Sequence, residues 1–241
     1  MAYHNGPTSA RDGIMVCLDV ANSKSYSGSG TTLTDLSGNS NNGTIYNGAV
    51  YSSSPNGGFF TFDGSNDYVG IASPSDRFSW TVYGAGINSM SIEIWIKSTD
   101  TSGRIFSKPW NGNGEYNYWV DNSGWAVNSG GSSYQLPCTS YASGNWEHFI
   151  YVATPSQLSV YRRGILNAGP TNHGLTGNIP TYGNGQVDLA VMTLYPYGSG
   201  SWSYTGHAIA GDLGFFRLYN RALSASEILR NYNSLKSRYG L

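Results

Sequence analysis

Apolar and polar residues alternate with the two-residue period of β-strands through most of the chain. Ser91 to Lys97 is the clearest case, with Ile92, Ile94 and Ile96 on one face and Glu93, Trp95 and Lys97 on the other, which predicts a central strand. Ile14 to Asp19 is a compact apolar run and predicts the first strand. Phe59 to Phe62 and Tyr68 to Ile71 flank Asp63-Gly64-Ser65-Asn66-Asp67, which predicts two strands joined by a tight acidic loop. Trp146 to Ala153 and Gln157 to Arg163 predict a pair turned by Thr154-Pro155-Ser156, after which Arg163-Gly164 turns the chain into Ile165-Leu166. Gln186 to Met192 alternates Val187, Leu189 and Val191.

Toward the C-terminus, Leu213, Phe215, Arg217 and Tyr219 alternate with Asp212, Gly214, Phe216 and Leu218, the pattern of a strand covered on both faces. A short helix is predicted next. Ser224 is a good N-cap with Glu227 three residues on, and Leu223 and Ile228 are placed as a hydrophobic staple. Ile228, Leu229, Tyr232 and Leu235 are expected on one helical face. No internal repeat, linker-like change of composition or earlier long helix interrupts the pattern. The reading is all-β: a single antiparallel β-sandwich over residues 14–241 with a short C-terminal helix, preceded by a polar N-terminal arm over residues 1–13.

Composition narrows the function classes. Charged residues are only 11% of the chain, against 32 Gly and 19 Tyr, so the surface must be built largely from Ser, Thr, Asn, Gly and half-buried Tyr. A net charge of -1 provides no electrostatic footprint for nucleic acid. No apolar run is long enough to span a bilayer as a helix, and the first residues lack the basic start and apolar stretch of a secretory signal. Cys17 and Cys138 lie far apart, in no metal-binding or redox spacing; two buried thiols are expected, with a bridge as the alternative.

Several blocks, in order, carry a resemblance. Cys17-Leu18-Asp19 with Asp35-Leu36-Ser37-Gly38-Asn39 and Asn42-Gly43-Thr44 comes first, then Phe62 to Val69, Ser91 to Lys97, and Gly144-Asn145-Trp146-Glu147-His148. Tyr161-Arg162-Arg163-Gly164 and the closing Ala210 to Leu229 complete the series, although Arg163 stands where an acidic residue is often found. The chain resembles the laminin-G-like, or concanavalin A-like lectin/glucanase, domains, which implies a jelly-roll sandwich. The opening through Ser37 also resembles domains of this type from bacteriophage and environmental viral genomes, where they are usually virion components. That resemblance agrees with release by lysis in place of a secretory signal.

Because the fold hosts glucanases, catalysis needs weighing. Retaining glycosidases place two carboxylates about 5 Å apart. The glutamates Glu93, Glu115, Glu147 and Glu227 include none within two residues of an aspartate on a strand, and Glu93 reads as a strand-face residue paired with Lys97 or a nearby hydroxyl. His4, His148, His173 and His207 are scattered, and His148 reads as a hydrogen-bonded core residue. Asp63, Asn66 and Asp67 crowd a Gly-containing loop, where oxygen ligands suit Ca2+ but the same residues are ordinary turn formers. The resemblance implies Ca2+ at a sandwich rim, with Asp212 a remoter ligand. Trp110, Tyr116 and Trp125, and Tyr197, Trp202 and Tyr204, supply flat aromatic faces suited to sugar stacking or to a protein interface.

The expectation is a non-enzymatic structural or surface protein of a phage virion, on capsid, tail or fibre, assembled in the host cytoplasm and exposed after lysis. Its partners would be other virion subunits, itself in a homo-oligomer or larger assembly, or host-surface glycans. The alternatives are an extracellular carbohydrate-binding module or adhesin and, last, a polysaccharide-active enzyme.

Overall fold

The computed structural model describes residues 9–54, 57–72, 77–80, 87–109, 116–129, 132–176, 189–193 and 208–241. Strand alternation sorts them into two antiparallel sheets with their apolar faces together. In chain order the strands are β1 (Ile14–Asp19), β2 (Thr32–Leu33), β3 (Gly43–Tyr46), β4 (Val50–Ser52), β5 (Phe59–Asp63), β6 (Tyr68–Ile71), β7 (Met90–Lys97) and β8 (Arg104–Pro109). There follow β9 (Tyr116–Asp121), β10 (Gly124–Ser129), β11 (Ser132–Leu136), β12 (Trp146–Ala153), β13 (Gln157–Arg162), β14 (Ile165–Asn172), β15 (Leu189–Val191) and β16 (Ala210–Tyr219). Helix α1 (Ala225–Leu235) and a 3-10 turn (Lys236–Tyr239) close the chain.

The first sheet runs β14-β13-β12-β7-β16-β5-β4, with β1 also paired to β16, and the second runs β11-β10-β9-β8-β15-β6-β3-β2. The expected central strand β7 lies inside the first sheet between β12 and β16. Its Ile92, Ile94 and Ile96 enter the core with Phe149 and Tyr151 of β12, Phe216 and Leu218 of β16, and Phe106, Val120 and Trp125 from the second sheet. The acidic loop after β5 does not close a hairpin, because β5 and β6 belong to opposite sheets and the loop crosses between them. A true hairpin follows β13, where Arg163 and Gly164 have φ of 51° and 81°, the two left-handed residues that a tight strand turn requires.

Strand β16 departs from simple alternation at Gly214. Its register against β7 slips between Leu213 and Phe215, so Leu213 joins the core while Phe215 turns outward. The Tyr239 ring end packs where a Gly214 Cβ would stand, so a side chain there would have to displace Tyr239 from its place on Trp95. Helix α1 begins as expected: the Ser224 side chain accepts from the Glu227 amide and the Glu227 carboxylate accepts from the Ser224 amide. Leu223 and Ile228 pack together with Ile150, Val152 and Tyr219. The helical face differs from expectation in one turn, since Leu229 is 44% exposed and Asn231 takes the buried position. Cys17 and Cys138 are both free, the first buried and the second half-buried. Among the described residues no helix is long and apolar enough to cross a membrane.

Candidate functional site

The outer face of the first sheet is closed by α1, the 3-10 turn and the chain around Ala10. Alternation sends Glu93 and Trp95 of β7, His148 of β12 and Arg217 and Tyr219 of β16 to this face, and all five are buried. Glu93 pairs directly with Arg217 across the ladder, not with Lys97. Its Oε2 accepts from Arg217 Nη1 at 3.1 Å and Asn231 Nδ2 at 2.8 Å, and its Oε1 meets His148 Nε2 at 3.1 Å. Asn231 also accepts from the Ala10 amide at 2.8 Å, and the Tyr219 hydroxyl donates to the Ala10 carbonyl at 3.0 Å, so the end of the 1–13 arm is tied to the helix and sheet. Trp95 stacks on Tyr239 with centroids 4.3 Å apart. Burial pushes the Glu93 carboxyl up, but Arg217, His148 and Asn231 outweigh it and hold it below its ordinary range.

Two further glutamates are bound in the same way. Glu147 is buried, and although burial raises its carboxyl, Arg162, Ser143 and Arg163 hold it low. Arg163 Nε lies 3.0 Å from its Oε2 and Arg162 Nε 2.9 Å. Glu227 is lowered to about 2 chiefly by Arg221, whose Nη2 lies 2.7 Å from Oε1. Glu115 lies outside the described residues.

The proposed metal ligands do not converge. Asp63 Oδ1 accepts from the Ser65 amide at 2.7 Å, Asp67 Oδ2 from the Asp63 amide at 3.3 Å, and the Asn66 carbonyl from Asn47 Nδ2 at 2.8 Å. These bonds shape a turn. Asp212 is drawn elsewhere, to the Thr61 hydroxyl at 2.7 Å and to Lys97 Nζ at 3.6 Å. Burial pushes the Asp67 carboxyl up, and the Asp63 charge adds to that. Among the described residues no three His, Cys, Asp or Glu side chains gather to hold an ion. Ca2+ takes six to eight oxygens, so the described donors do not fit a Ca2+ cage and Asp212 is not part of the loop.

The aromatic candidates separate in the same way. Trp125 is fully buried, its ring edge-on to Tyr151 across the core at 5.5 Å, and offers no face to a ligand. Its position in β10 opposite Val120 already dictates this, because Val120 and Tyr118 point inward. Trp110, Tyr197, Trp202, Tyr204 and the side chain of Tyr116 lie outside the described residues.

What remains is the outer face of the second sheet. Ala126, Ser107 and Ala190 in its middle are buried, whereas Trp119 of β9 is partly exposed. At the β8 and β9 end a polar cleft of about 340 Å3 is lined by Thr101, Ser102, Arg104, Asp121, Asn122 and Ser123. Arg104 and Asp121 face one another in the ladder. The Arg104 guanidinium lies 4.9 Å from the Trp119 ring centroid. The Asp121 carboxylate is fixed by Trp119 Nε1 at 3.1 Å, the Ser123 amide at 2.9 Å, the Ser123 hydroxyl at 2.6 Å and Gln135 Nε2 at 3.1 Å. Asn122 is held by the Ser140 hydroxyl. Arg104 and the rigidly held Asp121 line the cleft and the Trp119 indole packs against both; a guanidinium and a carboxylate so placed are groups that recognise polyhydroxylated ligands. Sequence reasoning missed them, although alternation through Tyr118-Trp119-Val120 marks Trp119 as the outward ring of that strand.

The Laminin_G_3 family, the concanavalin A-like lectin/glucanases superfamily, matches residues 63–229. No curated protein matches the chain. Among solved structures, the binding domain of Paraclostridial Mosquitocidal Protein 1 is similar with a TM-score of 0.64 and 14% identity, over 93% of this chain and 52% of that one. Trypanosoma rangeli sialidase, in complex with 2,3-difluorosialic acid as a covalent intermediate, gives 0.64 and 15% over 97% of this chain and 35% of that one. Domain 4 of AbnA, a GH43 extracellular arabinanase from Geobacillus stearothermophilus, in complex with arabinotriose, gives 0.54 and 16% over 91% and 98%. The chain thus spans about half of the first protein and a third of the second, and at these identities the likeness is one of fold. With two antiparallel sheets, a capped C-terminal helix and the family match over residues 63–229, the chain belongs to the concanavalin A-like lectin/glucanase superfamily as a Laminin_G_3 domain.

Proposed function

We propose that the chain is a non-catalytic carbohydrate-binding sandwich that holds a glycan at the cleft lined by Arg104 and Asp121, beside Trp119. The carrying observation is the Asp121 carboxylate, which four donors fix beside a partly exposed indole. In this reading Asp121 accepts sugar hydroxyls, Arg104 donates to ring or glycosidic oxygens, and Trp119 packs against the apolar edge of a sugar. Preorganised groups of this kind lose little entropy on binding. The AbnA domain, seen with arabinotriose, and the mosquitocidal binding domain lend the reading support through their shared fold.

The non-catalytic part rests on the described carboxylates. Glycoside hydrolysis needs one carboxyl raised to act as acid. Among the described residues Glu93, Glu147 and Glu227 are all held low by arginines, and Asp67, the carboxyl that burial raises, is 4% exposed and bonded to the Asp63 amide of its own turn, so it offers no acid to a substrate. The finer placement, on the outside of a phage particle among other virion subunits, rests on the resemblance of the opening through Ser37, and there the glycan would be a host-surface one. A glycan array probed with the wild-type chain and with Asp121→Ala, together with analysis of bound glycans for cleavage, tests the proposal. Retention of intact glycan by the wild type alone is expected. Equal binding by Asp121→Ala would remove the cleft from the reading, and cleaved products would remove its non-catalytic part. Immunolabelling of the native particle tests the placement, and an unlabelled particle would sink it.

A further inference from the structure

Among the described residues five large apolar side chains are exposed, and three of them, Ile165, Leu166 and Leu229, meet at one corner of the molecule. Ile165 and Leu166 open β14, the edge strand of the first sheet, directly after the Arg163-Gly164 turn. Leu229 of α1 lies against that turn, since a Cβ on Gly164 would stand 2.9 Å from its Cδ1. Exposed apolar residues scattered singly are ordinary, whereas a group of them marks a contact surface.

The shape of the group limits what can cover it. Ile165 is 71% exposed and Leu166 45%. Ile165 stands opposite Arg162 in the ladder and Leu166 opposite Tyr161, so the two apolar side chains leave opposite faces of the hairpin end. A flat partner would cover one and leave the other in water.

The charge at this corner is positive. Between Asn122 and Val187 the only acidic residue is Glu147. Arg162 and Arg163 both bind it, and its side chain is buried while theirs are 30% and 37% exposed, so one guanidinium charge is unbalanced at the surface. Lys236 follows Leu229 by seven residues and so continues its side of the helix. Its Nζ lies 5.6 Å from the ring of Tyr232, whose Cβ would be 3.3 Å from a Gly164 Cβ, and it pairs with no carboxylate among the described residues. The other charges of the helix balance one another: Arg221 holds Glu227 and Asp12, and Arg230 lies 4.0 Å from Glu227.

Like charge opposes docking of this corner on a second copy of itself, and the partner must be negative and apolar at once. The boundary between headgroups and acyl chains of an anionic bilayer has both properties, and being deformable it covers both faces of a hairpin end. We propose that this corner docks the chain on anionic lipid membranes, with Ile165, Leu166 and Leu229 entering the acyl boundary and Arg162, Arg163 and Lys236 lying among the headgroups. It shares no residue with the glycan cleft and does not depend on that reading.

Co-sedimentation of the full chain with vesicles of mixed phosphatidylserine and phosphatidylcholine, and with vesicles of phosphatidylcholine alone, tests the proposal. Two unbalanced charges, each contributing about fivefold, predict roughly thirtyfold tighter binding to the anionic vesicles, and screening in high salt should remove that difference. The double variant Ile165→Ser with Leu166→Ser should weaken vesicle binding about tenfold or more, and Lys236→Gln about fivefold. Circular dichroism checks that each variant is folded, and Leu229→Ser gives an independent reading from the helix side. The double variant should retain glycan binding, which separates this surface from the cleft. No binding to anionic vesicles, equal binding to both kinds, or binding that survives the double variant would overturn the proposal. Soluble polyglutamate bound as tightly as the vesicles would overturn it too, and would assign the corner to an acidic protein.

Discussion

Replacing Glu93 with alanine tests the buried network that fastens the C-terminal helix to the first sheet. The substitution leaves Arg217 buried without its counter-charge and removes the acceptor of His148 Nε2 and Asn231 Nδ2. Breaking a buried pair by removing one partner costs about 3–5 kcal/mol. For 241 residues, an unfolding entropy of about 2.1 cal/mol/K per residue amounts to roughly 0.5 kcal/mol/K, so the melting temperature should fall by about 6–10 °C. Urea denaturation followed by far-ultraviolet circular dichroism measures the free energy, and calorimetry measures the temperature. The double variant Glu93→Gln with Arg217→Met removes both charges and should lose less than Glu93→Ala alone, because it is the orphaned charge, more than the lost attraction, that destabilises. A loss under about 1 kcal/mol for Glu93→Ala, the size of an exposed pair, would show that the network does not hold the helix as described.

Other outcomes follow from the same contacts. Glu227 has a folded carboxyl at about 2, below its ordinary 4.5, so its contribution is complete above pH 4.5 and is lost as pH falls toward 2. Glu93 and Glu147 are also lowered and act with the same sign, so the protection factors of the α1 amides, referred to the intrinsic exchange rate at each pH, should fall progressively on acidification below pH 4.5. Trp125→Ala should destabilise by about 3–5 kcal/mol through a core cavity while leaving glycan affinity of the folded protein unchanged, read by denaturation and calorimetric titration. Removal of divalent ions with a chelator should change neither melting temperature nor glycan binding, because Asp63, Asn66 and Asp67 close a turn with their own backbone and Asp212 pairs with Lys97. A chelator-induced drop in either would restore Ca2+ to the loop.

Alternation and capping made much of the fold legible. The runs Ile14 to Asp19 and Trp146 to Ala153 are strands with those bounds, and Ser224 caps the helix. What local pattern could not reveal was which sheet each strand joins. The Asp63 to Asp67 loop has hairpin chemistry yet crosses between sheets, because Phe60 and Phe62 on one side and Val69 and Ile71 on the other fill the core from opposite layers. Glu93 was readable as a strand-face residue, but its partner is 124 positions away and is set by the register of β7 on β16. At the cleft, composition drew attention to Trp125 for its aromatic surroundings. Parity, applied across β9 and β10, assigns Trp125 inward and Trp119 outward. Asp121 became visible only when the ladder placed it opposite Arg104.

The most direct measurement follows the indole N–H resonances of the chain while a glycan selected on the array is added in the presence of chelator. Trp119 Nε1 donates to Asp121, so a sugar engaging that carboxylate should move its resonance saturably, whereas the buried Trp95 and Trp125 should stay in place. Trp119→Ala should weaken the same glycan about tenfold, the loss of one aromatic contact of about 1.4 kcal/mol, measured on variant protein that circular dichroism shows to be folded at the assay temperature. A glycan that binds without moving Trp119, or an array that yields no glycan at all, would contradict the assignment of this cleft.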